Sequence, residues 1–510
     1  MTAVEESFDV RDLLGNAEAR PRFVKVLDQT KCIGCHACTT ACKSENLVPL
    51  GVTRTYVKAV EVGTFPQVRR SFQVTRCNQC DDAPCVAACP TGAMFRRPDG
   101  IVDFDKEACI GCKACIAACP YDAIFINPED HSAEKCNFCS HRIDAGLEPA
   151  CVVVCPVEAI LVGDLNDPGS RVAQIVNREP VTVRRPEKET RPKVFYKGAH
   201  QATLDPIAAR RPDGGLFMWS EQGGLTSGAP DGWNSSAAAL LAYDVPHRAP
   251  WDWRVSLYTW TKGIAAGAYL VAAVLALAGA LSWSDSLWLW AVPLIALGML
   301  AATGAVLIAD LEHPKRFWLI FARPQRRSWL VRGAFVIGGY GALLSAHLLG
   351  SILGLRALQE WLAIAGVPLA TATAAYTAYL FARAKARDLW QSPLLPPHML
   401  VQATLLGAAV LLPFGQAPHE VRWVLGGAAL AHVLLVLGEI SLTHPTAHAH
   451  LAVKELTGGR FAAPFWLGLA LVAAAVAAPW IGVVAIAPAL LGVLLHEHAY
   501  VQSGQAVPLA

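Results

Sequence analysis

The chain has 510 residues, of which 54% are hydrophobic and only 16% charged, and its formal net charge is +2. A soluble protein carries roughly 25% charged residues, so a large part of this chain is expected outside water. The near-zero charge speaks against nucleic acid as a partner, and the composition excludes collagen-like and disordered classes.

Charge and cysteine divide unequally at Trp251. Residues 1–250 hold 59 of the 84 Asp, Glu, Lys and Arg, and all 16 cysteines lie between Cys32 and Cys155. The expectation is a soluble, cysteine-dense half followed by a membrane half. Residues 1–22 read as an N-terminal extension. Residues 1–30 carry neither a basic-then-apolar signal nor a twin-arginine pair, so no export of this half is expected, and metal ligation is favoured over disulfides.

The cysteines fall into four groups: Cys32, Cys35, Cys38 and Cys42; Cys77, Cys80, Cys85 and Cys89; Cys109, Cys112, Cys115 and Cys119; and Cys136, Cys139, Cys151 and Cys155. The first and third have the x2, x2, x3 spacing of bacterial ferredoxins, and the last three end in Cys-Pro. In that run three close thiolates hold one cluster and the fourth reaches another. Sixteen ligands at four per cluster predict four [4Fe-4S] clusters. Zinc also uses Cys-x2-Cys pairs, but complete groups of four in ferredoxin register point to iron–sulfur chemistry. Cys32-Ile-Gly-Cys35-His36 matches a c-type haem attachment site, yet Cys38 and Cys42 continue the ferredoxin register, so that reading fails. Residues 23–165 are thus predicted to form an α+β domain of two tandem ferredoxin-like units.

This stretch resembles the four-cluster iron–sulfur subunit of the dimethyl-sulfoxide-reductase and polysulfide-reductase class of molybdenum enzymes. The resemblance implies that the first group pairs with the fourth and the second with the third. The ligand sets would be Cys32/Cys35/Cys38/Cys155, Cys136/Cys139/Cys151/Cys42, Cys77/Cys80/Cys85/Cys119 and Cys109/Cys112/Cys115/Cys89. It also implies that the first set lies nearest a catalytic subunit and the last nearest the membrane.

Residues 166–250, rich in Pro, Gly, Arg and Ala (Arg184-Arg185-Pro186, Pro212-Asp213-Gly214-Gly215), are expected to be an extended strap over the ferredoxin surface.

From Ile264 onward, apolar stretches of spanning length recur. Eight are read, at about 264–282, 287–309, 329–353, 361–382, 398–414, 422–442, 461–478 and 481–498, giving an all-α eight-helix transmembrane bundle over 251–510. Tryptophans near the ends, such as Trp283, Trp329 and Trp480, fit interfacial belts. Loops on the ferredoxin side carry Lys315, Arg316, Arg323, Arg326, Arg327, Arg383, Lys385, Arg387, Lys454 and Arg460, against Arg356 and Arg422 opposite. This excess predicts a multi-pass protein of the cytoplasmic (inner) membrane with its iron–sulfur domain facing the cytoplasm.

The segments Asp310–Trp318, Arg327–Gly333, Asp388–Pro393 and Ser503–Leu509 resemble NrfD-type (polysulfide reductase) membrane anchors. That resemblance implies a quinone site (menaquinone or ubiquinone) and no haem. Where the dimethyl-sulfoxide-reductase branch has a histidine, this chain has Asp310. From the residues themselves, a quinone exchanging electrons with a cluster also exchanges protons, and ionisable groups at membrane depth are costly enough to mark function. Asp310, His313, Arg332, Lys262 and Trp260 are the expected quinone-site residues, whereas Lys315, Arg316 and Arg323 read as snorkelling side chains. His432 and Glu439, seven apart, share a helix face and are a candidate proton path, with His347 a further deep group. His496 and His498 read as interfacial.

The function expected is an electron-transfer and quinone-reacting membrane subunit, not catalytic by itself, working with a separate molybdopterin-type catalytic subunit. The alternative is an iron–sulfur/quinone module of a larger respiratory assembly, resembling alternative complex III or a membrane hydrogenase.

Overall fold

The computed structural model describes residues 21–210, 239–414 and 419–510. Residues 212–215 of the expected strap and nearly all of the N-terminal extension lie outside them.

In the cysteine-rich half, two small hairpins, Met94–Arg96 with Val102–Phe104 and Ile124–Ile126 with Ala133–Lys135, hold the second and third cysteine groups. Two larger sheets frame them. One has the order Ile160–Asp164, Phe23–Asp28, Val194–Lys197, Val181–Thr182; the other the order Ala239–Tyr243, Thr55–Val62, Arg69–Arg76. Residues 166–250, expected as a strap, therefore supply strands to both sheets. Val194–Lys197 runs parallel to Phe23–Asp28, and Ala239–Tyr243 runs antiparallel to Thr55–Val62. The physical reason is pairing: each short strand gains its backbone partners from a chain segment far away in sequence, which no local apolar pattern announces.

The second half is helical. Among the described residues six helices are long and apolar enough to cross a membrane: Trp253–Leu277, Leu287–Ala309, Trp329–Ile352, Arg356–Phe381, Glu420–Ser441 and Ala478–Ala506. A seventh follows if Ala447–Thr457 and Ala462–Ala475, bent by 73° at Gly458–Phe461, form one span. Leu395–Leu411, at 17 residues, is shorter than a full crossing. The first helix starts at Trp253, eleven residues before the apolar run at Ile264, because Asp252 accepts from the Arg254 amide and caps it. Trp253–Leu277 is the central helix. It crosses Leu395–Leu411 so closely that a Cβ on Gly267 would stand 1.7 Å from the Ala403 carbonyl oxygen, the small-residue contact by which helices pack in lipid.

The two halves meet over a continuous surface. Arg316 donates to the carbonyls of Lys106 and Cys109, at 2.8 and 3.1 Å, so it docks the halves rather than snorkelling. Ser328 Oγ donates to the Ala88 carbonyl at 2.8 Å and the Gln325 amide to the Pro90 carbonyl at 2.9 Å. On the same side the Asp388–Pro393 and Ser503–Leu509 motifs come together. Arg387 donates to the Gln505 carbonyl, and Asp388 pairs with Lys188 at 2.5 Å while accepting from Thr446.

Candidate functional site

Each cysteine group wraps a loop and enters a short helix, so its thiols face inward from closely spaced positions. Cys32 lies within electrostatic range of Cys155 and Cys35, and Cys38 of Cys32 and Cys35. Cys42 meets Cys136, Cys151 and Cys139; Cys85 meets Cys77, Cys119 and Cys80; Cys115 meets Cys112, Cys89 and Cys109. Neighbouring sets come within electrostatic range of one another through Cys38 and Cys151, Cys77 and Cys136, and Cys115 and Cys85. The four sets therefore follow one another in a row from Cys35, the exposed cysteine, to the membrane half.

The residues fit iron–sulfur clusters. Hollows open at the two ends of the row, lined by Cys32, Cys35, Cys38 and Cys155 and by Cys89, Cys109, Cys112 and Cys115. Backbone amides of Gln79, Met94, Ala133 and Ala159 point at Cys77, Cys89, Cys109 and Cys155 from 3.2–3.4 Å, which favours the thiolate form. Burial pushes Cys42 up to about 12, and neighbouring thiols add to it; metal bound to those sulfurs removes that penalty. Cys151 differs. Burial raises it, but Arg76 and then Lys25 outweigh burial and bring it down to about 7. Arg76 Nη1 donates to Cys151 Sγ at 3.2 Å, and its Nε and Nη2, though buried, have no other hydrogen-bond partner. Such orphaned donors suit a cluster whose sulfurs accept hydrogen bonds.

The last set abuts the loop after the second span. The Glu312 and His313 amides donate to the Gly111 and Ile110 carbonyls. Gly111 (φ +70°) allows this approach, since a Cβ there would stand 2.3 Å from Glu312 Cβ. Lys113 bridges the halves, 3.5 Å from Asp310 and 3.1 Å from Glu312. Burial pushes the Asp310 carboxyl up to about 6, against the pull of Lys113, and its Oδ1 makes no hydrogen bond. The Trp251 indole donates to the Cys112 carbonyl at 3.4 Å and stacks on Phe381 and Trp390.

The five residues expected at a quinone site do not all converge. Asp310 and His313 stand on the loop against the last cysteine set. Lys262 lies deeper, fully buried, its Nζ donating to the Ala374 carbonyl (2.9 Å) and the Thr377 hydroxyl (2.5 Å) and standing 4.5 Å from the Tyr376 ring. Trp260 faces elsewhere and donates to the Leu490 carbonyl. Arg332 is exposed, stacked on Trp329 and bonded to the Arg326 carbonyl. The sequence reading missed Lys113, and also Tyr258 and Glu497. Tyr258 lies one turn before Lys262 and within electrostatic range of Asp310, Tyr376 and Glu497, and Glu497 accepts from Thr259 at 3.0 Å. One signal was available: Tyr258 and Lys262 stand at i and i+4 on one face.

The deep histidines also part company. His347 is satisfied by the Tyr269 hydroxyl and the Trp288 carbonyl. His432 sits beside His398 and His496, and Glu439 accepts instead from Tyr500 at 3.3 Å. His496, expected at the interface, is buried at 2% exposure because its helix runs on to Ala506.

Residues 68–165 match the 4Fe-4S dicluster domain, residues 29–48 a 4Fe-4S binding domain, and residues 244–487 the polysulphide reductase NrfD family. The chain is 43% identical to a tetrathionate reductase subunit of Salmonella typhimurium over 210 residues, which cover 40% of this chain and 81% of that one. It is 38% identical to the arsenate respiratory reductase iron-sulfur subunit ArrB of Shewanella sp., over 34% of this chain and 95% of that one. It is 44% identical to the protein NrfC of Escherichia coli, over 34% and 79%. The cysteine rows, the docked membrane loops and these likenesses agree: the chain belongs to the 4Fe-4S iron–sulfur subunits of such reductases, continuous here with an NrfD-type membrane domain.

Proposed function

We propose that the chain is the electron-transfer and quinone-reacting membrane subunit of a reductase-type complex, working between a separate molybdopterin-type catalytic subunit and the membrane quinone pool. The observation that carries this reading is the docking of the last cysteine set onto the loop bearing Asp310, with Lys113 reaching across.

Four [4Fe-4S] clusters, one in each of the four cysteine sets, would supply reversible one-electron transfer. The protein's own residues do the rest. Arg76 and Lys25 offset negative charge at the second set. Asp310 offers a carboxyl that gains and loses a proton near neutral pH, and Lys113 holds it in place. The Trp251, Phe381 and Trp390 stack and the Arg316, Gln325 and Ser328 bonds keep water from the junction. At the far end, Cys35 is exposed with Ile33 beside it, and Leu47, Leu50 and Val153 are exposed in the segments of the first and fourth cysteine groups, apolar surface suited to a partner protein.

We further propose eight crossings. Glu420–Ser441 ends beside the docking side, where Thr446 meets Asp388, so Leu395–Leu411, starting near Asp388, has to carry the chain across before it. With basic residues concentrated in the docking-side loops, the iron–sulfur domain faces the cytoplasm. The domain limits follow as 23–250 for the iron–sulfur part, strap strands included, and 251–510 for the anchor.

The test is Asp310→Asn in the assembled complex. Quinone-linked turnover should fall at least tenfold while dye-linked turnover of the catalytic partner persists. Equal loss of both would make Asp310 a structural residue and remove the main support for the reading.

A further inference from the structure

Three helices of the membrane half bring three imidazoles to one point. His398 lies on Leu395–Leu411, His432 on Glu420–Ser441 and His496 on Ile486–Ala506. They are 3%, 0% and 2% exposed. His398 Nε2 stands 2.9 Å from His432 Nδ1. Ring centroids are 4.8 Å apart for His432 and His496 and 5.5 Å for His398 and His496, and one nitrogen from each ring lies within 4.8 Å of the other two. Phe465 and Tyr500 flank the His496 ring.

A neutral imidazole has one donor and one acceptor nitrogen. The single bond between His398 and His432 leaves much of this capacity unused: His432 Nε2 and His496 Nδ1 are buried with no hydrogen-bond partner. Orphaned polar atoms in an apolar interior cost free energy, and imidazoles converging from three different helices form the arrangement a metal ion relieves at once. Imidazole nitrogen suits copper, zinc, iron and nickel, whereas magnesium and calcium demand oxygen. The observed nitrogen separations need only small side-chain shifts to place three donors about 2.0–2.1 Å from one ion.

We propose that His398, His432 and His496 form a mononuclear site for a transition-metal ion of the imidazole-binding class, copper or zinc, separate from the iron–sulfur row. The ion would tie together three helices that carry no cysteine, since all 16 cysteines lie before residue 156.

The test uses the full-length, detergent-solubilised protein, dialysed against a mild chelator and offered Cu(I) and Zn(II) in separate arms. Either arm should retain about one equivalent per chain, and X-ray absorption at that metal's K-edge, distinct from iron, should give nitrogen-only ligation with three scatterers at about 2.0 Å. Retention should fall at least tenfold in His432→Gln, with iron content unchanged as the check on folding, and should persist in Glu439→Gln. Retention of neither metal by wild-type protein, or equal retention by wild type and His432→Gln, would overturn the site.

Discussion

Arg76 gives a sharp test of the electrostatics. Its guanidinium is 2% exposed, stands against Cys151 and interacts with Cys136 and Cys38 as well. No carboxylate is ion-paired with it among the described residues, so the negative charge of the bound cluster is its natural counter-ion. At about 6 Å from a cluster centre and an effective dielectric constant of about 20, one unit charge is worth about 3 kcal/mol. For a one-electron couple that is on the order of 100 mV. Positive charge favours the reduced, more negative cluster, so Arg76→Met should lower the midpoint potential of one cluster by about that amount. Arg76→Lys should keep most of it. Redox titration followed by low-temperature paramagnetic resonance reads this directly, and the clusters farther along the row serve as internal controls. A shift under about 20 mV by the same reckoning, or an upward shift, would refute the reasoning.

Other perturbations test the junction and the fold. Gly111→Ala places a methyl group against Glu312 and forces φ +70° on a residue with a Cβ. Quinone-linked turnover should fall at least tenfold while iron content is held, as steady-state assays and iron analysis will check. His247 sits between Asp122 (2.5 Å) and Asp244 (3.2 Å), which together outweigh burial and raise its imidazole to about 10. A raised histidine contributes its full stability below its unfolded value near 6.5 and loses it as pH rises toward 10. His247→Leu should therefore cost about 3–5 kcal/mol at pH 7, since it removes the buried cation that bridges the two carboxylates. The melting-temperature gap from wild type should narrow by pH 10; a constant gap would contradict the ion triad.

The four cysteine groups were legible because their spacing is local: x2 and x3 steps place thiols on one loop and one helical turn whatever surrounds them. The junction was partly legible, because Asp310 and His313 occupy a charged loop between two apolar runs. Arg332 and Trp260 misled because composition does not reveal which way a helix face turns; Trp329 draws Arg332 outward and the Leu490 carbonyl draws Trp260 aside. Strand Val194–Lys197 was hidden because its partner Phe23–Asp28 lies some 170 residues earlier. The histidine trio was hidden for a related reason. His398, His432 and His496 are spread over nearly 100 residues, and only the stacking of their helices equalises their depth.

Reoxidation of the reduced protein tests the central claim most directly. Full-length protein in liposomes, reduced with dithionite under anaerobic conditions, is mixed with a short-chain menaquinone or ubiquinone while the visible absorbance of the clusters is followed. Reoxidation by the quinone is expected, slowed at least tenfold in Asp310→Asn. Clusters that take electrons from dithionite yet return none to either quinone in wild-type protein would contradict a quinone-reacting role.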